Sequence, residues 1–184
     1  MRRARLDDPI RTAHLELVPL TAQFVQAVVA GDAVAAGTEV GAKVGRWLTA
    51  DPTHVIQLHL AAQAAVARGF PDLGRAIILV MPGRARRLIG SIGFHGPPDD
   101  RGRLEASCRV HPSHRSRGFA AEALGALLDW ATARYGATRF LVAVPAARER
   151  REPVPIEIAD ARARPIQVQV DHIAALLETR RGGR

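Results

Sequence analysis

The chain has 184 residues, enough for one compact domain with its own core and too few for two comfortable ones. Hydrophobic residues make up 47% and charged residues 24%, a soluble globular balance, and no apolar run approaches the roughly 20 residues that span a bilayer. Lys and Arg number 26 against 18 acids, for a net charge of +8, yet the eight aromatics are not interleaved with the cations as a base-stacking surface requires, which argues against nucleic acid as a partner. Of those cations only Lys43 is a lysine, which points to compositional bias more than to selection for an anionic partner.

The N-terminus, Met-Arg-Arg-Ala-Arg-Leu-Asp-Asp-Pro, is basic but is not followed by the apolar core of a secretory signal, so a cytoplasmic location is the expectation. A single cysteine, Cys108, excludes an internal disulfide and a cysteine-based zinc site. Residues 11–20 alternate around Leu15 and Leu17 and predict a strand ended by Pro19. Thr21 is placed to cap a helix carrying Phe24, Val25, Val28 and Val29, which breaks near Gly31. Residues 31–50 are Gly- and Ala-rich and ambiguous. Asp51-Pro52 supplies a cap and a first-turn proline for a second helix ending near Gly69. His54 and His59 on that helix are five apart, not the i, i+4 spacing that would share a metal, and read as surface or partly buried histidines. No metal is expected.

A β-rich middle follows, with strands over residues 75–81, 87–95 and 103–110 separated by the Pro82-Gly83 turn and a polar loop at 96–102. Their short connections make them antiparallel neighbours. Val110 ends the third strand, Pro112 opens a short polar loop, and a long helix follows with Ala120, Leu124, Leu127, Leu128 and Ala131 at helical spacing. Gly136 stands where a helix end takes a left-handed residue. A last strand is predicted over 138–144; strand, helix, strand makes a right-handed parallel crossover. The fold class is therefore mixed α/β.

The loop before the long helix reads Arg115-Ser116-Arg117-Gly118-Phe119-Ala120. Main-chain N–H groups at a helix start, helped by the macrodipole, bind anions, and a glycine lets a phosphate approach the backbone. This segment resembles the acyl-CoA-binding signature of the GCN5-related N-acetyltransferase (GNAT) family, Gln or Arg, two residues, Gly, one residue, Gly or Ala: Arg115, Gly118 and Ala120 fill its defined places. The order of elements over residues 10–145 is similar too. Ala121-Glu122-Ala123, the Leu-Ile-Gly-Ser-Ile-Gly-Phe-His-Gly-Pro-Pro segment and the Glu105 strand look like the branch that acetylates ribosomal-protein N-termini.

The resemblance implies a three-layer fold with a central, mostly antiparallel, splayed sheet flanked by helices, and one acetyltransferase-like domain over 1–184, flexible at 1–9. It implies an N-acetyltransferase that moves an acetyl group from acetyl-CoA to a primary amine, a protein N-terminus or a small molecule, in a ternary complex without an acyl-enzyme. Acetyl-CoA and the amine are the implied partners; no membrane is implied, and a homodimer is left open. Val110, Arg115, Ser116, Arg117, Gly118, Phe119 and Ala120 would bind coenzyme A in the gap where the strand ending at Val110 splays from its parallel neighbour.

Glu105 is the candidate base, since the branch commonly fills its place with glutamate; alternatively it pairs with a nearby arginine such as Arg103, or orients the substrate. Cys108 as a nucleophile, and His111 or His114 as bases, are the other candidates. Beyond Val144 the chain departs from the family pattern, with no candidate for the acid that protonates the leaving thiolate. Residues 166–170 alternate as a strand, and Asp171 is placed to cap a short helix. An acyl-CoA-binding sensor with weak catalysis is the alternative function.

Overall fold

A computed structural model describes residues 8–69, 73–144 and 154–158. The elements are β1 (Ile10–Arg11), β2 (Leu15–Pro19), α1 (Ala22–Val29), α2 (Ala33–Val40), α3 (Arg46–Ala50), α4 (Thr53–Val66), β3 (Gly74–Leu79), β4 (Arg87–Phe94), β5 (Arg103–Val110), α5 (Phe119–Tyr135), β6 (Arg139–Val144) and β7 (Val154–Ile158). The strands form one seven-stranded sheet in the order β1 to β7, antiparallel at every pairing except the parallel β5–β6. Helices cover both faces, so the architecture is mixed α/β with a largely antiparallel sheet between helical layers.

Each face has its own apolar cluster. Leu104, Ala106 and Val110 of β5 pack with Ile92 and Phe94 under Leu124, Leu127, Leu128 and Ala131 of α5. On the other face Ala76, Ile78 and Leu88 meet Phe24, Val25, Val28, Val40, Leu48 and Val55 from α1 to α4. The predicted α5 stripe is buried except at its first member: Ala120 is exposed at the helix start, where the chain has just left the loop. Arg75 is buried with its guanidinium 4.6 Å from the centre of the Trp130 ring, and its Nη1 donates to the Leu17 carbonyl at 3.2 Å.

Local chemistry explains the element ends. Thr21 Oγ1 accepts the Phe24 N–H at 3.0 Å and starts α1. The ambiguous stretch resolves into two helices: the Asp32 carboxylate accepts the N–H groups of Val34 and Ala35 to start α2, Gly41 closes it at φ +59°, and α3 follows. Four helices rather than two therefore precede β3. Asp51, expected as the cap of α4, sits one residue before the cap, Pro52. Its carboxylate still accepts the Thr53 N–H, at 3.4 Å, and binds Arg109 Nη2 more closely, at 2.5 Å, since a guanidinium offers a stronger, charge-assisted bond than a main-chain N–H. The tail departs from expectation as well, since Val154–Ile158 adds β7 to the sheet edge beside β6. The strand expected at 166–170 and the helix after Asp171 lie outside the described residues.

Glu122, in the first turn of α5, ties that helix to the start of the sheet. It accepts from Thr12 Oγ1 at 2.5 Å and the His14 N–H at 2.8 Å, with His14 Nδ1 3.1 Å from its second oxygen. Burial pushes its carboxyl up, but these bonds outweigh burial and hold it below its ordinary value of 4.5. A carboxyl depressed on folding gives stability that is complete above its unfolded pKa and lost as pH falls through the folded one. Glu122→Gln is expected to lower Tm at pH 7 by about 3–6 °C, for a loss of roughly 1.5 kcal/mol. In acid the difference should vanish; an undiminished gap at pH 3, read by thermal melts, would place the effect elsewhere.

Candidate active site

Sheet register opens a gap at the end of β5. Its antiparallel pairing with β4 continues to Gly90↔Val110, while its parallel pairing with β6 stops at Ser107↔Ala143. Among the described residues, Cys108, Arg109 and Val110 thus keep β4 but have no β6 partner, and β6 itself stays paired with β7 as far as Val144↔Val154. Antiparallel alternation fixes where their N–H groups aim. The His95 N–H donates to the Glu105 carbonyl and the His111 N–H to the Ile89 carbonyl, both at 2.8 Å, so odd-numbered residues of β5 bond toward β4. The N–H groups of Cys108 and Val110 consequently face the gap.

The loop continues from that gap. A 3-10 turn, Pro112–His114, leads to Arg115, whose Nε donates to the Val110 carbonyl at 2.9 Å. Arg115 therefore braces the loop against the strand end. Ser116 (φ +57°) and Gly118 (φ +78°) are left-handed on either side of Arg117, a backbone alternation that gathers main-chain N–H groups into an anion-binding concavity. Ser116 is the one non-glycine residue with positive φ among the described residues, a conformation costly for a residue with a Cβ. No side chain caps α5 at Gly118, which leaves the N–H groups that open the helix available to a ligand. A Cβ built at Gly118 would meet no atom within 4 Å, so the space over the loop is open. Phe119 is half-buried with its ring centre 6.3 Å from that of His14, while Arg117 and Ala120 are exposed.

Upstream, Glu105, Ser107 and Arg109 share the opposite face of β5 from Cys108. The Glu105 side chain is exposed, and its carboxylate makes no hydrogen bond or ion pair with the described residues. Arg103, its alternative partner, is taken by Asp99 at 2.8 Å. Glu105 lies three residues, about 10 Å along the strand, before the point where the gap opens. Burial pushes the Cys108 thiol up to about 12, the reverse of what a nucleophile needs.

His111 and His114 stand apart from Glu105. His111 lies 4.9 Å, ring centre to ring centre, from Trp47, and both histidines line a cavity of about 260 Å³ with Lys43, Trp47 and Arg87. Burial, then the charges of Arg117, His111 and Arg87, push His114 below its ordinary value.

Sequence reasoning missed a polar array beside Glu105. His54 of α4 places Nδ1 2.6 Å from Ser91 Oγ and Nε2 3.0 Å from Ser107 Oγ, and His95 Nε2 lies 2.7 Å from the same Ser107 oxygen. Burial above all, then the charges of Arg109 and His95, push His54 down to about 4, so it is neutral at pH 7. The available signal was Ser91, a hydroxyl within the otherwise apolar Leu88–Phe94 run, with Ser107 on the polar face of the next strand. Among the described residues, no group of three or more His, Cys, Asp or Glu is placed to hold a metal, and no helix is long and apolar enough to cross a membrane.

Comparison with known proteins places this geometry in context. Residues 14–151, well over half of the chain, match the family described as acetyltransferase (GNAT) domain. The "uncharacterized N-acetyltransferase YjdG" of Bacillus subtilis (strain 168) is 36% identical over 53 residues, 29% of this chain; the match spans about a third (32%) of that curated relative's length. Among solved structures, the acetyltransferase from Agrobacterium tumefaciens str. C58 is 22% identical, with 100% of this chain and 86% of that one covered and a TM-score of 0.47. The GNAT-family acetyltransferase from Bacillus anthracis is 16% identical, with 74% and 73% covered and a TM-score of 0.43. On the strength of the family match over residues 14–151, this chain belongs to the GNAT acetyltransferase family.

Proposed function

We propose that the chain transfers an acetyl group from acetyl-CoA to a primary amine, a protein N-terminus or a small-molecule amine, by direct attack in a ternary complex. The observation that carries this reading is the pairing of two features, the N–H groups of Cys108 and Val110 that face the β5 gap and, across a short loop with left-handed Gly118, the uncapped start of α5. Val110 and residues Arg115 to Ala120 hold the donor: the N–H groups at the gap meet its pantetheine arm, and the loop and first helical turn take its diphosphate. Arg115 serves by bracing the loop, and Arg117 adds positive charge.

Glu105 is the base. The amine gives a proton to its carboxylate and attacks the thioester carbonyl carbon. A main-chain N–H at the gap stabilises the oxyanion, and collapse of the tetrahedral intermediate expels the thiolate of coenzyme A. The test incubates purified protein with acetyl-CoA and a panel of amines and peptides, and reads a gain of about one acetyl group by mass spectrometry, beside thermal melts with acetyl-CoA. Transfer supports the enzyme. Stabilisation without transfer to any amine would favour the sensor, and neither would overturn both.

Gly118→Val tests the loop separately. Since its Cβ touches nothing, the fold loses only the left-handed strain of about 1–2 kcal/mol, whereas the ligand loses its approach to the backbone. Calorimetry should show acetyl-CoA affinity reduced more than tenfold; unchanged affinity would move the diphosphate elsewhere.

A further inference from the structure

Four side chains behind the candidate base form one connected array, Ser91–His54–Ser107–His95, with separations of 2.6, 3.0 and 2.7 Å. Hydroxyl and imidazole valences limit how its hydrogens are arranged. A neutral imidazole has one donor nitrogen and one acceptor nitrogen, and a hydroxyl donates once. If His95 gains a proton, both its nitrogens donate, so Ser107 Oγ must accept at Nε2. The Ser107 hydroxyl must then donate to His54 Nε2, and His54 must carry its one proton at Nδ1 and donate to Ser91 Oγ. With His95 protonated this is the arrangement that satisfies all four groups, and it requires His54 to stay neutral, as its burial ensures.

The array also stands in the right place. His95 is exposed, and its N–H donates to the Glu105 carbonyl, so the two residues face each other across β4 and β5 with side chains on the same face. Side chains of such a pair leave Cα atoms about 5.5 Å apart. With Nε2 taken by Ser107, Nδ1 is the ring nitrogen left for chemistry. The charged or titratable groups around His95 are Glu105, Arg103 held by Asp99, and, behind Ser107, His54 with the Arg109–Asp51 pair.

We propose that His95 is the terminal proton acceptor of the transfer, receiving through Glu105 the proton lost by the amine, and that His54 is the positioning residue which, through Ser107, holds His95 ready for it. This inference rests on the acetyltransferase reading above. The proton leaves the amine nitrogen for a Glu105 carboxylate oxygen, passes to His95 Nδ1 to form the imidazolium, and departs to solvent from that exposed ring, which regenerates both groups.

The experiment measures kcat against pH for the wild type, His95→Gln, Ser107→Ala and His54→Gln with an amine that the wild type acetylates, beside acetyl-CoA affinity for each. For His95→Gln, kcat should fall at least tenfold with donor affinity unchanged, and the rise of kcat with pH should disappear. Ser107→Ala removes the acceptor that favours the imidazolium, so the rise should move to lower pH; His54→Gln should do the same if it folds. Nitrogen NMR of the imidazoles gives a readout independent of turnover: the His95 Nε2 and His54 Nε2 signals should both move in Ser107→Ala, which removes their shared partner. A His95→Gln enzyme with wild-type kcat and pH profile overturns this inference and leaves the acetyltransferase reading standing. A wild type that acetylates nothing overturns both.

Discussion

Gly93→Ala should unfold the protein at a temperature at least about 6–12 °C lower, for a cost of 3 kcal/mol or more. The reason is backbone, not side chain. A Cβ there would lie 2.2 Å from the Leu73 carbonyl oxygen and 2.8 Å from the Gly74 Cα, with Leu58 Cδ2 of α4 at 3.1 Å. Gly74 and Gly93 are paired across β3 and β4, and together they let α4 lie directly on the sheet. That contact fixes His54 over Ser91 and Ser107. The Leu73 oxygen cannot retreat, because it accepts the Phe94 N–H at 2.7 Å. Gly96→Ala is the matched control, since its Cβ would meet nothing within 4 Å and its φ is not left-handed. Melts of the two variants that fall within 2 °C of each other would sink the packing argument.

Glu105→Gln is expected to lower kcat by about 10²- to 10⁴-fold, the usual contribution of a positioned general base. Acetyl-CoA affinity should stay within about twofold, since the donor loop begins at Val110 on the far end of the strand. Stability should move by less than about 0.5 kcal/mol, because the carboxylate is exposed and pairs with nothing described. This combination separates catalysis from folding and from donor binding. Turnover that is unchanged across the pH range would remove Glu105 from the reaction. Turnover lost together with donor affinity would make it a binding residue instead.

Much of this arrangement was legible from residue patterns. The Arg103–Val110 strand has the expected bounds, Gly136 ends α5 at φ +68°, and the crossover from β5 to β6 is parallel. These features depend on local rules, namely alternation, helical spacing and glycine's tolerance of positive φ. Residues 31–50 were harder, because alanine and glycine leave the periodicity faint and only the Asp32 cap and Gly41 mark a helix. The bond from the Thr53 N–H to Asp51 follows from local sequence, but the closer partner of Asp51, Arg109, is 58 residues away, and no local signal reports a long-range ion pair.

The same limit hid the histidine array. Helical spacing relates His54 only to His59, whereas the partners of His54 come from β4 and β5. The donor loop is one contiguous stretch and can be read from a motif. The proton-handling groups are assembled from three elements and become visible only when the sheet is folded.

Spatial order in this sheet follows chain order without exception from β1 to β7. No strand has to be inserted between two that are already joined, so a chain emerging from synthesis can extend one growing edge, each new strand meeting its predecessor. Only the β2-to-β3 step waits for a long helical excursion, and only the β5-to-β6 step needs a crossover. Such zippering keeps loop-closure entropy small at each stage and, beside the short β1 edge, leaves one growing edge exposed to other chains at any moment.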